Sequence, residues 1–238
     1  ESILESNQGT NGGAVRADNG ASVQVKEGTT SFLNNRATTG HGGAMYFQDP
    51  LTRLDVSGSS TQLIVNGNTV LLWNKDGGGV AVYDYATVAV SSGARFYATN
   101  NVAYYDGAGM HFEDYAQFDI SGRGTQVVVS GNVCDHVGGG INVAQVGVRM
   151  TVSSGAHLYI TNNVARNFAG GLYFDGWGAR LDITGDGTQV IVDGNTGGGC
   201  KLESYSIMAI SSGALVNVTN NTMAISSGGA LRGAGVVI

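Results

Sequence analysis

Residues 32–37 read FLNNRA, and residues 42–45 read GGAM. These two strings decide the fold, because weaker copies of both recur along the whole chain of 238 residues. The first string ends an apolar segment at a polar turn, and the second opens a new apolar segment after two glycines. Self-similarity at a fixed period is the sequence signature of a repeat architecture. We therefore expect stacked copies of one structural unit.

An asparagine that follows an apolar residue by three positions marks each copy of the first string. Successive copies are separated by 28, 33, 33, 31, 31, 32 and 26 residues. An amide side chain both donates and accepts hydrogen bonds, so asparagines stacked at an inner turn satisfy one another and the turn carbonyls. We interpret the row as a structural ladder, which consists of Asn7, Asn35, Asn68, Asn101, Asn132, Asn163, Asn195 and Asn221.

Two small residues before an apolar–x–apolar triplet form the second motif. Its first apolar position recurs at intervals of 30, 35, 30, 31, 31, 28 and 31 residues. Glycine permits positive φ or a close approach of the backbone at a corner. These glycines precede strand patterns rather than helices, which argues against a dinucleotide-binding loop. Clear copies begin at Gly43, Gly78, Gly139, Gly170 and Gly198.

A third apolar–x–apolar strand lies between these motifs and alternates between two forms. One form reads LDVSG at residues 54–58 and FDISG at residues 118–122. The other reads VAVSSG at residues 88–93 and MTVSSG at residues 150–155. The full sequence period is therefore about 62 residues, which comprises two structural units of about 31.

Three short period-2 strands per unit, separated by Gly, Asn and Ser turns, predict an all-β chain. One strand cannot bury its apolar face alone, whereas stacked equivalent strands bury a continuous core. The sequence therefore predicts one single-stranded parallel β-helix over residues 1–238, with three strands per coil and about 7–8 coils. Propeller blades use four antiparallel strands, and sandwiches do not keep such a repeat, so both folds are disfavoured.

Composition excludes several functional classes. The net charge of −6 and the absence of any Lys/Arg run argue against nucleic-acid binding. No apolar run approaches the ~20 residues that span a membrane. There is no CxxC and no paired histidine motif, so neither a metal nor a cofactor is predicted. The register places Cys134 and Cys200 inside as free thiols, too far apart for a disulfide.

The two strings at residues 32–37 and 42–45 resemble the repeat of chlamydial-type polymorphic outer-membrane proteins, which is FxxN followed by GGA and an aliphatic residue. Other copies are relaxed, since Val65 and Ala98 take the place of the phenylalanine. The resemblance covers the whole chain and implies an extracellular or cell-surface parallel β-helix that is often a non-enzymatic adhesive passenger. Because the chain starts and stops inside a repeat, we expect it to be a segment of a longer repeat protein.

The outward positions of the strand before each ladder asparagine are apolar. A continuous exposed apolar row usually marks a partner surface, and the alternative is a face covered by the protein's own loops. Both interpretations stay open for this row, called the apolar stripe, which consists of Ile64, Tyr97, Val128, Tyr159 and Ile191.

Two further outward rows carry polar or aromatic side chains. The first row consists of Asp55, Asp119 and Asp182, which recur two coils apart. One interpretation is an acidic ladder that binds cations or a basic partner. The other is that this spacing separates like charges on one sheet. The outward positions of the second motif hold Arg16, Tyr46, His111, Asn142, Tyr173, Lys201 and Arg232. Of these, Tyr46, His111 and Tyr173 have rings that suit stacking on sugars, although they do not lie on consecutive coils.

Glycan-cleaving chemistry needs paired carboxylates about 5–10 Å apart. Candidate clusters are Glu113-Asp114, Asp135-His136, and Asp175 with Asp182, but none interrupts the repeat as a unique active site does. No catalytic residue is therefore assigned. Two sequons make Asn217 and Asn220 candidate glycosylation sites if the protein is a secreted eukaryotic one.

The sequence thus predicts a non-catalytic extracellular or cell-surface solenoid segment with a structural or adhesive role, acting through repetitive lateral surfaces in a filament or surface assembly. Its expected partners are protein neighbours, through lateral or end-to-end contacts, or surface glycans. The alternative is a carbohydrate-active enzyme, a polysaccharide lyase or glycosidase of the pectin-lyase-like fold.

Overall fold

Parallel strands stacked at intervals of about 31 residues build the computed structural model, which describes residues 1–222, 231–232 and 236–237. The predicted all-β parallel β-helix is confirmed, with about seven turns. The parts of the predicted solenoid at residues 223–230, 233–235 and 238 lie outside the described residues. Within the described part of the chain, no helical segment has the length and apolar character needed to cross a lipid bilayer.

Most strands are two to five residues long, and two early strands are much longer. In chain order they are β1 Ser2–Glu5, β2 Gln8–Gly9, β3 Val15–Ala17, β4 Ser22–Leu33, β5 Arg36–Ala37, β6 Met45–Phe47, β7 Arg53–Asn66, β8 Thr69–Val70, β9 Val80–Val82, β10 Thr87–Ser91, β11 Arg95–Thr99, β12 Val102–Ala103, β13 Met110–Glu113, β14 Gln117–Ser121, β15 Gln126–Ser130, β16 Val133–Cys134, β17 Ile141–Ala144, β18 Arg149–Ser153, β19 His157–Thr161, β20 Val164–Ala165, β21 Leu172–Asp175, β22 Arg180–Thr184, β23 Gln189–Asp193, β24 Cys200–Glu203, β25 Ile207–Ser211, β26 Leu215–Thr219, β27 Leu231–Arg232 and β28 Val236–Val237.

Like strands stack on like strands to give three faces. The glycine-motif sheet runs through β3, β6, β9, β13, β17, β21, β24 and β27. The aspartate face runs through β10, β14, β18, β22 and β25, and the ladder face through β11, β15, β19, β23 and β26. These two faces join in one 14-stranded sheet because β4 and β7 each continue across the corner between them. Two-residue strands follow the first six ladder asparagines and form a fourth, short stack, which consists of β2, β5, β8, β12, β16 and β20.

The apolar core lies between the three faces. Inward residues two positions apart on the ladder face are almost fully buried, as the alternation predicts. They are Leu63, Val65, Phe96, Ala98, Val127, Val129, Leu158, Ile160, Val190 and Val192. Because every coil contributes equivalent residues, the core is continuous along the helix axis.

The eight ladder asparagines stand in one file at the corner after the ladder face. In the seven asparagines from Asn7 to Asn195, the backbone N–H and Nδ2 both donate to the Oδ1 of the asparagine in the next coil, over 2.8–3.0 Å. From Asn35 onward, Nδ2 also donates to a strand carbonyl of the preceding coil. Buried amides are therefore fully satisfied, which removes the penalty of burying them.

The residue before each ladder asparagine explains the 62-residue period. All eight of these residues have φ between 51° and 69°, a region that favours Gly and Asn. The position reads Asn34, Gly67, Asn100 and Gly131 in successive coils. A Cβ at Gly67 would lie 2.5 Å from Oδ1 of Asn34, and one at Gly131 would lie 2.7 Å from Oδ1 of Asn100. A side chain at the glycine position would therefore displace the Asn side chain of the preceding coil, which favours the alternation of asparagine and glycine.

The glycines of the second motif make room for the ladder. A Cβ at Gly109 would lie 2.9 Å from Nδ2 of Asn132, and one at Gly140 would lie 2.9 Å from Nδ2 of Asn163. Such contacts are closer than real Cβ atoms tolerate without a shift, and the position before the strand is glycine in the five copies from Gly79 to Gly199, with alanine at Ala14 and Ala44. The two sequence motifs are therefore two sides of one corner.

The side chains of Cys134 and Cys200 are buried free thiols, as the register predicts. Burial raises the pKa of the Cys200 thiol to about 12. Burial, with a smaller effect of the nearby Asp106 carboxylate, raises the pKa of Cys134 well above its usual range. Neither thiol therefore has a reactive thiolate at neutral pH.

On the aspartate face, the predicted row alternates Asp55, Ala89, Asp119, Thr151 and Asp182 in register. The first and last carboxylates form ion pairs with arginines on their own strands. The spacing therefore keeps like charges apart.

We predict that Asn132→Ala destabilises the fold by about 3–5 kcal/mol, because the backbone N–H of Asn101, one of the two Nδ2 hydrogens of Asn101 and the carbonyl of Ala98 each lose their hydrogen bond to Asn132. The matched control is Asn7→Ala at the open end of the ladder, where Asn35 Oδ1 keeps the backbone donor of residue 7. That change should cost less than about 1 kcal/mol. Urea unfolding monitored by circular dichroism measures both, and equal costs would contradict the ladder's structural role.

We also predict that a thiol-specific chromogenic reagent labels neither cysteine in the native chain and labels both after denaturation, because each thiol is buried and protonated. Fast labelling of the native protein at Cys134 or Cys200 would contradict the burial of that residue.

Candidate functional site: a polar cleft on the glycine-motif sheet

One lateral face of the solenoid is not smooth. Loops at residues 71–79, 104–109 and 135–140 run from the short corner strands to the glycine-motif sheet, and they pass over its outward side chains. The contact is close, since a Cβ at Gly107 would lie 2.9 Å from the Cβ of His111. Between these loops and the sheet lies a cleft of about 510 Å³.

The outward row of the second motif lies beneath these loops, which corrects the expectation of exposed rings. Tyr46, His111, Asn142 and Tyr173 are all buried. The hydroxyl of Tyr46 donates to Gln48, and burial raises its pKa to about 12. Tyr173 donates to Glu203 of the neighbouring strand. These residues therefore present no free ring faces for stacking on sugars.

Three titratable side chains meet at the floor of the cleft. Asp76 comes from the loop at residues 71–79, and His111 and Glu113 are alternate residues of β13. His111 Nε2 lies 3.0 Å from Glu113 Oε2 and 4.0 Å from Asp76 Oδ2. One ligand-type atom from each residue lies within 4.8 Å of the other two. The cluster therefore joins a loop of one coil to the strand of the next.

Surrounding groups hold Asp76 in place. Its Oδ1 accepts a hydrogen bond from the backbone N–H of Asp106 at 3.1 Å. Its own N–H donates to His41 Nδ1, and the Tyr83 hydroxyl lies 3.4 Å from its Oδ2. Oδ1 is thus anchored by a backbone amide, and Oδ2 lies 3.3 Å from His41 Nδ1 and 4.0 Å from His111 Nε2.

The electrostatics of the cluster favour the ionised carboxylate of Asp76 and the protonated imidazole of His111. Burial raises the pKa of Asp76, but His111, His41 and the Asp106 amide outweigh that effect, so the pKa lies below its usual value. Burial lowers the pKa of His111, but Asp76 and Glu113 outweigh it, so that pKa lies above its usual value. Positive charge in the cleft is therefore stabilised next to Asp76.

A second acid–imidazole pair lies beside this cluster. His136 Nδ1 is 2.7 Å from Asp106 Oδ1, which also accepts from the N–H of Val137. The Tyr105 ring stacks on His136 with ring centroids 4.5 Å apart. Burial and the charge of Asp76 raise the pKa of Asp106, against the opposing effect of His136.

The predicted site residues occupy separate places. The apolar stripe lies in register on the ladder face, and each of its residues is partly exposed. Asn217 continues this row one coil further and is exposed. Asn220 is also exposed, and its Nδ2 donates to Asp193.

Of the carboxylate pairs considered, only single members reach the cleft. Asp175 lines the cleft, whereas Asp182 lies on the aspartate face, so these two are not brought together. Asp135 forms an ion pair with Arg166 at 3.2 Å, while its neighbour His136 faces the cleft.

Sequence reasoning missed Asp76, Tyr83 and the role of Asn142. One signal was available, since the interval of 35 residues before Val80 is the longest between copies of the second motif. This interval contains the loop that supplies Asp76. Spacing along the chain did not reveal that the loop turns back over the sheet.

Comparisons with known proteins do not assign a family. No family profile matches the chain, and no curated protein matches it. A crystal structure of a TibC-catalysed, hyper-glycosylated TibA fragment aligns with 14% identity over 97% of this chain and 91% of that one, with a TM-score of 0.17. A TM-score of this size supports no conclusion about fold or function.

Proposed function

We propose that the chain is a non-catalytic segment of a surface β-solenoid, with a structural or adhesive role at the cell surface or outside the cell. The apolar stripe is the observation that carries this proposal. Each of its members pairs in register with a counterpart in the adjacent coil, and each keeps part of its side chain exposed. Continuous apolar rows of this kind usually serve as contact surfaces.

The shape of the stripe suits extended partners. Its side chains repeat at the ~4.8 Å separation of neighbouring strands. A partner that also repeats along its length, such as a second solenoid or a surface glycan, gains the same contact at each coil. Tyr97 and Tyr159 supply the aromatic area that contributes most to such contacts.

We predict that Tyr97→Lys combined with Tyr159→Lys weakens lateral association or surface adhesion at least about tenfold, because two charges interrupt the stripe. Ala89→Lys combined with Thr151→Lys is the matched control, since it places the same charges outward, two coils apart, on the aspartate face. Sedimentation velocity and binding to a glycan array measure the two partner types. The proposal is contradicted if the wild-type chain neither associates laterally nor binds glycans. It is also contradicted if both double variants lose association or binding to the same extent.

The cleft is a specific reason to keep a carbohydrate-active enzyme as the second candidate. It brings Asp76, Asp106, Glu113 and Asp175 to one concave surface, which is where carboxylate chemistry would occur. Against this reading, Asp76 and Asp106 are each engaged by backbone amides and imidazoles rather than pointing freely at a substrate.

We predict that the chain releases neither reducing ends nor unsaturated products from a panel of polysaccharides. The control is Glu113→Gln, which removes one cleft carboxylate with little change of shape. Product release by the wild type that is lost in this variant would overturn the non-catalytic proposal and establish the enzyme.

A further inference from the structure

We propose that Asp76, His111 and Glu113 bind one Zn²⁺ ion, or a divalent transition-metal ion of similar chemistry, on the floor of the cleft. Nothing in the repeat requires this cluster, because the equivalent outward positions on neighbouring coils hold Ala81 and Asn142 instead of His111. The site therefore adds a function to the solenoid that is separate from its lateral surfaces.

The geometry is close to what one ion requires. Ligand atoms about 2.0–2.2 Å from a tetrahedral Zn²⁺ lie about 3.4 Å from one another. The separation of 3.0 Å between His111 Nε2 and Glu113 Oε2 is near this value, and Asp76 Oδ2, at 4.0 Å from Nε2, needs to approach by about half an ångström. Three protein ligands leave a fourth position for water from the cleft.

The charge and chemistry of the ligands select the ion. Two carboxylates bring a charge of −2 into a site where Asp76 is mostly buried and His111 is only 2% exposed. A divalent cation neutralises that charge. One imidazole with two carboxylates suits Zn²⁺ and its neighbours, whereas Ca²⁺ and Mg²⁺ prefer all-oxygen sites.

Asn142 supplies an independent observation that points to a ligand. Its side chain is 1% exposed and lines the same cleft, and its Oδ1 is buried without a hydrogen-bond partner. Its Nδ2 lies 3.1 Å from His111 Nδ1. In this arrangement His111 Nδ1 accepts, so Nε2 carries the proton and donates to Glu113.

Rotation of the Asn142 amide by a half turn gives Oδ1 a partner in His111 and moves Nδ2 to the position that Oδ1 now occupies. Oδ1 then accepts from a proton on His111 Nδ1, and the lone pair of Nε2 faces Asp76 and Glu113. This is the tautomer that a metal ion needs, and partners of this kind fix the orientation of ligating histidines. Asn142 is therefore the positioning residue of the site.

The test is titration of the metal-stripped chain with Zn²⁺ by isothermal titration calorimetry. One ion is expected per chain. Asp76→Asn and Glu113→Gln each remove a ligand charge at constant shape, and Asn142→Ala removes the positioning amide. Each is expected to raise the Kd by about 10–100-fold. His136→Gln is the matched control, since it removes an imidazole of the same cleft that is not a ligand, and its Kd is expected to stay within about twofold of the wild type.

X-ray absorption spectroscopy of the zinc-loaded wild type keeps the proposal falsifiable if a variant fails to fold. The expected first shell contains one imidazole nitrogen and otherwise oxygen. The assignment would be overturned if calorimetry showed no stoichiometric binding, or if the absorption spectrum showed sulfur ligands or two or more imidazoles. It would also be overturned if His136→Gln lost binding while Asp76→Asn retained it. None of these outcomes depends on the lateral stripe, so this test and that of the proposed function fail independently.

Discussion

Hydrogen bonding between stacked asparagine amides is the constraint on which the structure depends. Each Oδ1 accepts two bonds from the coil before it, so the ladder holds each coil in register with the previous one. This register is accompanied by a left-handed residue before each asparagine and, from Asn101 to Asn221, by a glycine above its amide. The first two motifs are therefore not independent signals, because both meet at this buried polar contact.

The same regularity makes departures from it informative. A solenoid coil can lengthen only where the chain leaves the stacked strands, and here it does so between the short corner strands and the glycine-motif sheet. The resulting loops cover side chains that would otherwise face water. They bring Asp76 of one coil against His111 and Glu113 of the next, in surroundings where charge is costly unless compensated.

Two kinds of surface therefore coexist on one rod. The ladder face presents similar apolar side chains at each coil, which suits repetitive contacts and leaves no single residue special. The cleft on the glycine-motif sheet gathers imidazoles and carboxylates, among them the cluster of Asp76, His111 and Glu113. Two of its loop carboxylates, Asp76 and Asp106, accept hydrogen bonds from the backbone N–H groups of Asp106 and Val137.

By itself, the sequence determined the three main strands of each coil, the asparagine file, the inward residues such as Leu63 and Val65, and the burial of both cysteines, but not the fourth stack of two-residue strands. It did so because residues one coil apart touch, which turns spatial contact into a fixed spacing along the chain. Only the tertiary structure decided that Asp76 meets His111 and that Asn142 is buried with a free oxygen. Those contacts depend on the path of irregular loops over the sheet, and no periodic pattern encodes that path.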